Sequence, residues 1–151
     1  MKTAILGNGH VGSWLAAILS KDHEVMVYEP DAAKRSGSAK HYAASVAEIK
    51  GFGPELLINA ADHENTIAAF DSVAADLPKG CVLADVAAVK SGLADYYAAS
   101  KRPFVSLHPM FRPQSETASK GEYAIIINES DPKVAALFRG IFESLGIRVF
   151  G

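Results

Sequence analysis

Gly7-Asn8-Gly9-His10-Val11-Gly12 is the stretch on which the reading of this chain turns. An apolar run, Thr3-Ala4-Ile5-Leu6, precedes it, and Val11, Trp14, Leu15, Ile18 and Leu19 recur behind it along one helical stripe. A strand, a tight turn and a helix are therefore expected. In such a unit Gly7 permits the turn, Gly9 lets a pyrophosphate approach the backbone, and Gly12 lets the helix pack closely on the strand. Free amides at the helix start supply an anion site. Asn8, His10 and Val11 lie in the same turn and join the three glycines as candidate cofactor-binding residues.

The next apolar segment, Val25-Met26-Val27-Tyr28, ends in Glu29, 17 positions beyond Gly12. That is close to where a dinucleotide-binding unit places the acid that holds the adenine ribose. Glu29 can accept hydrogen bonds from both ribose hydroxyls and would repel a 2′-phosphate, so NAD is favoured over NADP as cofactor. Lys34 and Arg35 follow closely enough to soften that preference, although a solvated helix face accounts for the pair.

Composition sets the outer limits. The 151 residues suit one domain with a core of its own. With 49% hydrophobic and 21% charged residues, the chain has the make-up of an ordinary soluble globular protein. A formal net charge of -2 gives no electrostatic reason to expect nucleic acid or an anionic membrane as partner. Cys81 is the single cysteine, so no internal disulfide can form; its place at the head of an apolar run marks a buried structural thiol, and a reducing, cytoplasmic setting fits. With a single Lys before the first strand no signal peptide is expected, and no apolar run reaches membrane-spanning length. No metal site is expected.

Beyond Glu29, Pro30-Asp31 starts a short helix through Ala32, Ala33 and Lys34, which Ser36-Gly37-Ser38 breaks. His41-Tyr42-Ala43 is a weak third strand, followed by a helical turn around Val46 and Ile49, with Gly51-Phe52-Gly53-Pro54 as punctuation. Leu56-Leu57-Ile58-Asn59-Ala60 reads as a strand buried on both faces, and residues 63–77 carry Ile67, Phe70, Ala74 and Leu77 at helical spacing. Strands follow at 81–86 and 104–107, the latter stopped by His108-Pro109, with a helix over 91–100 between them. Residues 112–121 read as a polar loop and 123–127 as a strand. Asp131 as N-cap, Pro132 at the first helical position and Gly146 as the stop frame the clearest helix, before a final strand over 147–150. The alternation predicts an α/β Rossmann-type fold: a doubly wound, mostly parallel sheet in three layers. Ligands in that architecture sit outside the carboxyl ends of the strands. The loops after Leu6, Ala60, Val86 and Leu107 are therefore the informative ones, and Ala61, first in its loop, is counted with the cofactor-binding residues.

Two of those loops hold polar groups that packing does not require: Asp85-Val86-Ala87-Ala88-Val89-Lys90 and Leu107-His108-Pro109-Met110-Phe111. Here the chain resembles the prephenate and arogenate dehydrogenases of tyrosine biosynthesis. That family carries an Asp-x-x-Ser-Val-Lys stretch and later a His-Pro-Met-Phe-Gly-Pro stretch at this spacing, behind an amino-terminal glycine motif. The resemblance covers essentially all 151 residues. It implies oxidative decarboxylation of prephenate or arogenate, with hydride passing to NAD, and it implies that His108 is the catalytic group acting on the ring hydroxyl. General chemistry agrees, since removing hydride from a carbon bearing a hydroxyl also requires the oxygen's proton to leave, and imidazole titrates near neutrality.

Departures from the family pattern are equally specific. Ala88 stands where the family has a Ser whose hydroxyl helps orient substrate and imidazole, and Arg112 replaces a Gly. Arg112 is either a carboxylate clamp, a group that closes the pocket, or a solvated loop residue. Lys90 keeps its family position, where bracing a helix start or a cofactor loop accounts for it. His10 lies in the phosphate turn; His23, His41 and His63 read as surface or loop residues. The resembling enzymes also continue into a helical second domain that completes the substrate pocket and forms the dimer. This chain is expected to be the nucleotide domain alone, to bind NAD, and to turn over prephenate poorly or not at all; a homo-oligomer is left open. Two rivals stand beside this reading: a non-catalytic NAD-binding or sensing module, and a dehydrogenase of another substrate.

Overall fold

Strand and helix alternate along the chain in the order β1 (Lys2–Leu6), α1 (His10–Leu19), β2 (Glu24–Tyr28), α2 (Val46–Phe52), β3 (Leu56–Asn59), α3 (Thr66–Val73), β4 (Val82–Asp85), α4 (Leu93–Ser100), β5 (Phe104–Pro109), β6 (Tyr123–Glu129), α5 (Pro132–Ser144) and β7 (Arg148–Phe150). The structure, a computed structural model, describes residues 1–35, 41–111 and 122–151. The expected break at Ser36-Gly37-Ser38, the loop over 112–121 and Arg112 lie outside the described residues. Among those described, seven strands form one sheet in the order β2-β1-β3-β4-β5-β6-β7. Strands β1 to β5 are parallel, β6 runs antiparallel to β5, and β7 is parallel to β6. This is the Rossmann-type, mostly parallel sheet that the alternation predicts.

Side-chain alternation along the strands divides the core into two layers. Ile5, Ile58, Ala84 and Leu107 face α1 and α5, where they meet Trp14, Leu15, Phe138 and Phe142. Ala4, Leu57 and Leu83 face the other way, onto Ile49 of α2, Phe70 of α3 and Tyr97 of α4. Strands β3 and β4 are buried along their whole length, as strands covered on both faces must be. Each fully buried Leu or Ile contributes about 1.5–3 kcal/mol relative to an exposed one. Sheet order reverses between β1 and β3, because the chain leaves β1 for β2 on one side and comes back for β3 on the other. The tips of β1 and β3 therefore open a crevice that no crossover fills.

Several boundaries differ from expectation. The third strand at 41–43 is only a bridge, Tyr42 to Val27, completed by Val27 N–H donating to the His41 carbonyl and Ala43 N–H to the Val27 carbonyl. Gly51 and Phe52 belong to α2, which ends at Gly53. Instead of one helix over 63–77 there are 3₁₀ turns on either side of α3. Arg102 explains the end of that stretch: its guanidinium donates to the carbonyls of Ala74, Leu77 and Pro78, the acceptors that a continuing helix would have used. Most informative is β5, which runs through His108 and Pro109 instead of stopping before them. Its last rung to β4 is Asp85–Ser106, so the missing N–H of Pro109 breaks no ladder on that side. The last helix is as read, with Asp131 accepting from Val134 N–H at 2.9 Å and Pro132 at its first turn. Cys81 is buried, and burial pushes its thiol up to about 11. No helix among the described residues is long and apolar enough to cross a membrane.

Candidate functional site

At the tip of β1 the geometry is set by backbone contacts. Gly7 has φ +94°, and a Cβ there would lie 2.8 Å from the Ala60 carbonyl oxygen. Gly12, in the first turn of α1, passes so close to the turn that a Cβ would come within 2.3 Å of the Gly7 carbonyl oxygen. Gly9 is the opposite case. A Cβ on Gly9 would meet nothing within 4 Å, so this residue faces open space at the helix start. It is the N-cap of α1, and among the described residues no side chain caps the helix there. The helix therefore presents its amino end unobstructed, with the positive end of its dipole toward the opening.

Around this turn runs a crevice of about 510 Å³ whose walls include Gly7, Gly9, Glu29, Lys34 and Ala61. Glu29 is 7% exposed, and its carboxylate accepts the N–H groups of Asn8 and Asp31, each at 3.0 Å. Each oxygen keeps further acceptor capacity, so the group that braces the turn can still receive hydroxyls from the crevice. Asn8 is buried; its amide nitrogen donates to the Lys34 carbonyl and to the Tyr42 hydroxyl, whereas its side-chain oxygen has no partner among the described residues. Lys34 and Arg35 are both exposed, as a solvated face requires, and Arg35 Nε also donates to the Glu29 carbonyl at 2.7 Å. On the far wall, Ala61 donates its N–H to Asn59 Oδ1, and Asn59 Nδ2 donates to the Thr66 carbonyl at 2.7 Å. Asn59 thus holds the loop after β3 open beside the glycine turn. Sequence reading passed over Asn59, along with Ala68, Ala69 and Ser72 of α3, which complete that wall. Their only signal is small size on a helix face that otherwise reads as solvated.

The second group of residues stands at the tips of β4 and β5. Asp85 is fully buried and accepts from Ala87 N–H at 3.1 Å, Tyr97 Oη at 2.6 Å and Lys90 Nζ at 2.5 Å. Lys90 also donates to the Leu107 carbonyl at 2.5 Å. Burial pulls the Lys90 ammonium below its ordinary value, opposed by the Asp85 carboxylate. Tyr97 is held well above the usual phenol range by burial and by the same carboxylate. His108, next after Leu107, is half-buried; burial first, and then the Lys90 charge, lower it below the ordinary 6.5. Phe111 fixes the exit from β5, its ring edge-on to Trp14 at 5.3 Å and to Phe142 at 6.3 Å. Val89 and Met110, 52% and 40% exposed, leave an apolar surface beside these tips.

The structure thus brings Gly7, Gly9, Glu29 and Ala61 onto one crevice, with Asn8 and Gly12 shaping it from behind. His10 is exposed and Val11 half-buried at the start of α1. His108 does not line the crevice. It lies four strand positions from β2, roughly 19 Å across the same edge of the sheet. His41 is exposed and His23 lies in the loop between α1 and β2, both as expected; His23 is half-buried there, its Nδ1 without a partner among the described residues. Among the described residues no group of three or more His, Cys, Asp or Glu side chains is placed to hold a metal ion.

No model of a known protein family matches the sequence, and no curated protein does. Solved structures do match. The prephenate dehydrogenase of Aquifex aeolicus, in complex with hydroxyphenyl propionate and NAD+, aligns over 100% of this chain and 59% of its own, with a TM-score of 0.80 and 18% identity. The Synechocystis arogenate dehydrogenase gives 0.75 at 14% identity, covering 100% of this chain and 59% of its own. A reductive aminase from Aspergillus terreus, in complex with NADPH and ethyl-5-oxohexanoate, gives 0.72 at 18% identity, covering 99% and 54%. The chain spans little more than half the length of each, and what it shares with all three is the Rossmann-type fold.

Proposed function

We propose that this chain binds a nicotinamide dinucleotide at the glycine turn and acts as the cofactor domain of a dehydrogenase of the prephenate or arogenate type. The observation that carries the reading is the open, uncapped start of α1 at Gly9, set in a crevice that also holds a buried carboxylate, Glu29. The residues fit such a ligand. A phosphate suits free helix amides, ribose hydroxyls suit the remaining lone pairs of Glu29, and the unpartnered Asn8 oxygen lies behind the turn. When bound, the nicotinamide ring supplies the hydride acceptor. The chain's own contribution to chemistry is then His108. Its neutral imidazole, favoured by burial and by Lys90, is suited to take the proton from a substrate hydroxyl as the carbon beneath it loses hydride. Val89 and Met110 offer apolar surface to a ring-shaped substrate.

For the cofactor we favour NAD over NADP, because a 2′-phosphate would sit against the Glu29 carboxylate. A dehydrogenase of another substrate is the second reading, and Ala88 is its support: where the resembling family uses a Ser hydroxyl, this chain has a methyl group. Calorimetry with NADH and NADPH tests the cofactor. NADH is expected to bind more tightly, with Glu29→Ala narrowing the gap; tighter NADPH binding overturns the role of Glu29, and binding of neither overturns the whole reading. Turnover of prephenate and arogenate, however small in this chain, tests the chemistry. His108→Asn is expected to lower it by roughly 10²–10⁴, whereas unchanged turnover removes His108 from the mechanism.

A further inference from the structure

The Lys90 ammonium joins two parts of the sheet that the backbone leaves unjoined. The β4–β5 ladder ends at the Asp85–Ser106 rung, and between Ser106 and Leu107 the register of β5 against β6 shifts. A bulge next to a functional group re-aims the side chains that follow it. Where the ladder stops, Lys90 Nζ takes over: it donates to the Leu107 carbonyl, the acceptor in the peptide leading into His108, and to Asp85, which closes the β4 strand. Asp85 is in turn held by Tyr97 Oη and Ala87 N–H. Resting on the reading of His108 as the acid/base group, we propose that Lys90 is its positioning residue, an ammonium that clamps the peptide carrying the imidazole to the buried Asp85 carboxylate and sets one fixed positive charge beside the ring.

Among the described residues, the ionisable groups around the imidazole come from one side. The β4–α4 loop supplies Lys90, with Asp85 and the Tyr97 hydroxyl of α4 on its far side. Across the sheet, β6 places Ile125 and Ala124 opposite His108 and Pro109, and neither ionises. Among the described residues Lys90 is therefore the charge that acts on the imidazole, in keeping with the direction of its displacement. A positive neighbour disfavours imidazolium, so removing it must move the His108 titration to higher pH.

The test is an NMR titration of the His108 ring in the full chain, without cofactor or substrate. Lys90→Gln is expected to shift the His108 midpoint upward, and Lys90→Arg, which keeps the charge, to hold it near the unmodified value. An unchanged midpoint in Lys90→Gln overturns the proposal, as does Lys90→Arg behaving like Lys90→Gln. If Lys90→Gln does not fold, the unmodified chain decides the matter. A scalar coupling across the hydrogen bond, between Lys90 Nζ and the Leu107 carbonyl carbon, is expected, and its absence overturns the clamp. Because no nucleotide is needed, failure to bind NADH or NADPH would remove the functional reading while leaving this result to stand or fall by itself.

Discussion

The tip of β1 and the tips of β4 and β5 lie on one edge of the sheet, yet they are built by different means. At β1 the site is main chain: three glycines remove side chains so that a turn, a helix and open space can occupy a few ångströms. At β4 and β5 it is side chain: a carboxylate, an ammonium and a phenol from separate elements converge and pin a peptide. The first arrangement fails through steric overlap and the second through an unsatisfied buried charge. Those two failures differ in size and in what they leave intact.

The largest effect belongs to Gly12. A Cβ placed 2.3 Å from a backbone oxygen cannot be relieved by rotating a side chain, so α1 must move off β1. Gly12→Ala is expected to cost about 3 kcal/mol or more, visible as a Tm lower by roughly 10 °C in thermal unfolding. An unaltered Tm would mean that the turn and helix are not packed as described, and the contrast between the two regions would dissolve.

The same contrast explains what could be read from the sequence. Gly7, Gly9 and Gly12 fall within six consecutive positions, and with the apolar residues directly before and behind them they carry the strand, the turn and the helix, as Asp131 and Pro132 carry the start of α5. Short-range chemistry of that kind is printed in order along the chain. Asp85, Lys90, Tyr97 and Leu107 are spread over more than twenty residues, and only the fold brings them together. Lys90 could be read as bracing a helix start, whereas it spans to β5. The extent of β5 was hidden for a related reason. Pro109 looks like a stop until β4 is seen to have ended before reaching it. Asn59 left no pattern at all, since a polar residue closing an apolar strand looks the same whether or not it props a loop.

An intermediate effect is expected from Tyr97→Phe, which deletes one of three donors to a carboxylate with no access to water. A hydrogen bond to a charged group is worth about 1.5–3 kcal/mol, so the variant should unfold roughly 5 °C lower. Asp85 would then lean more heavily on Lys90. A variant as stable as the parent would show that the phenol is a bystander and that Lys90 and the Ala87 N–H suffice to hold the carboxylate.

Gly9→Ala sharpens the comparison most finely, because it separates folding from binding within a single turn. The backbone at Gly9 has φ -72°, which an alanine adopts without strain, and the added methyl meets nothing within 4 Å among the described residues. Stability should therefore stay within about 0.5 kcal/mol of the parent. The methyl nevertheless enters the space that a pyrophosphate needs in order to reach the helix amides, so NADH binding measured by calorimetry should weaken roughly tenfold, equivalent to about 1.4 kcal/mol. A fall in Tm like that of Gly12→Ala would make Gly9 one more packing glycine. Undiminished NADH affinity, with stability retained, would move the phosphate away from this turn and take the proposed site with it.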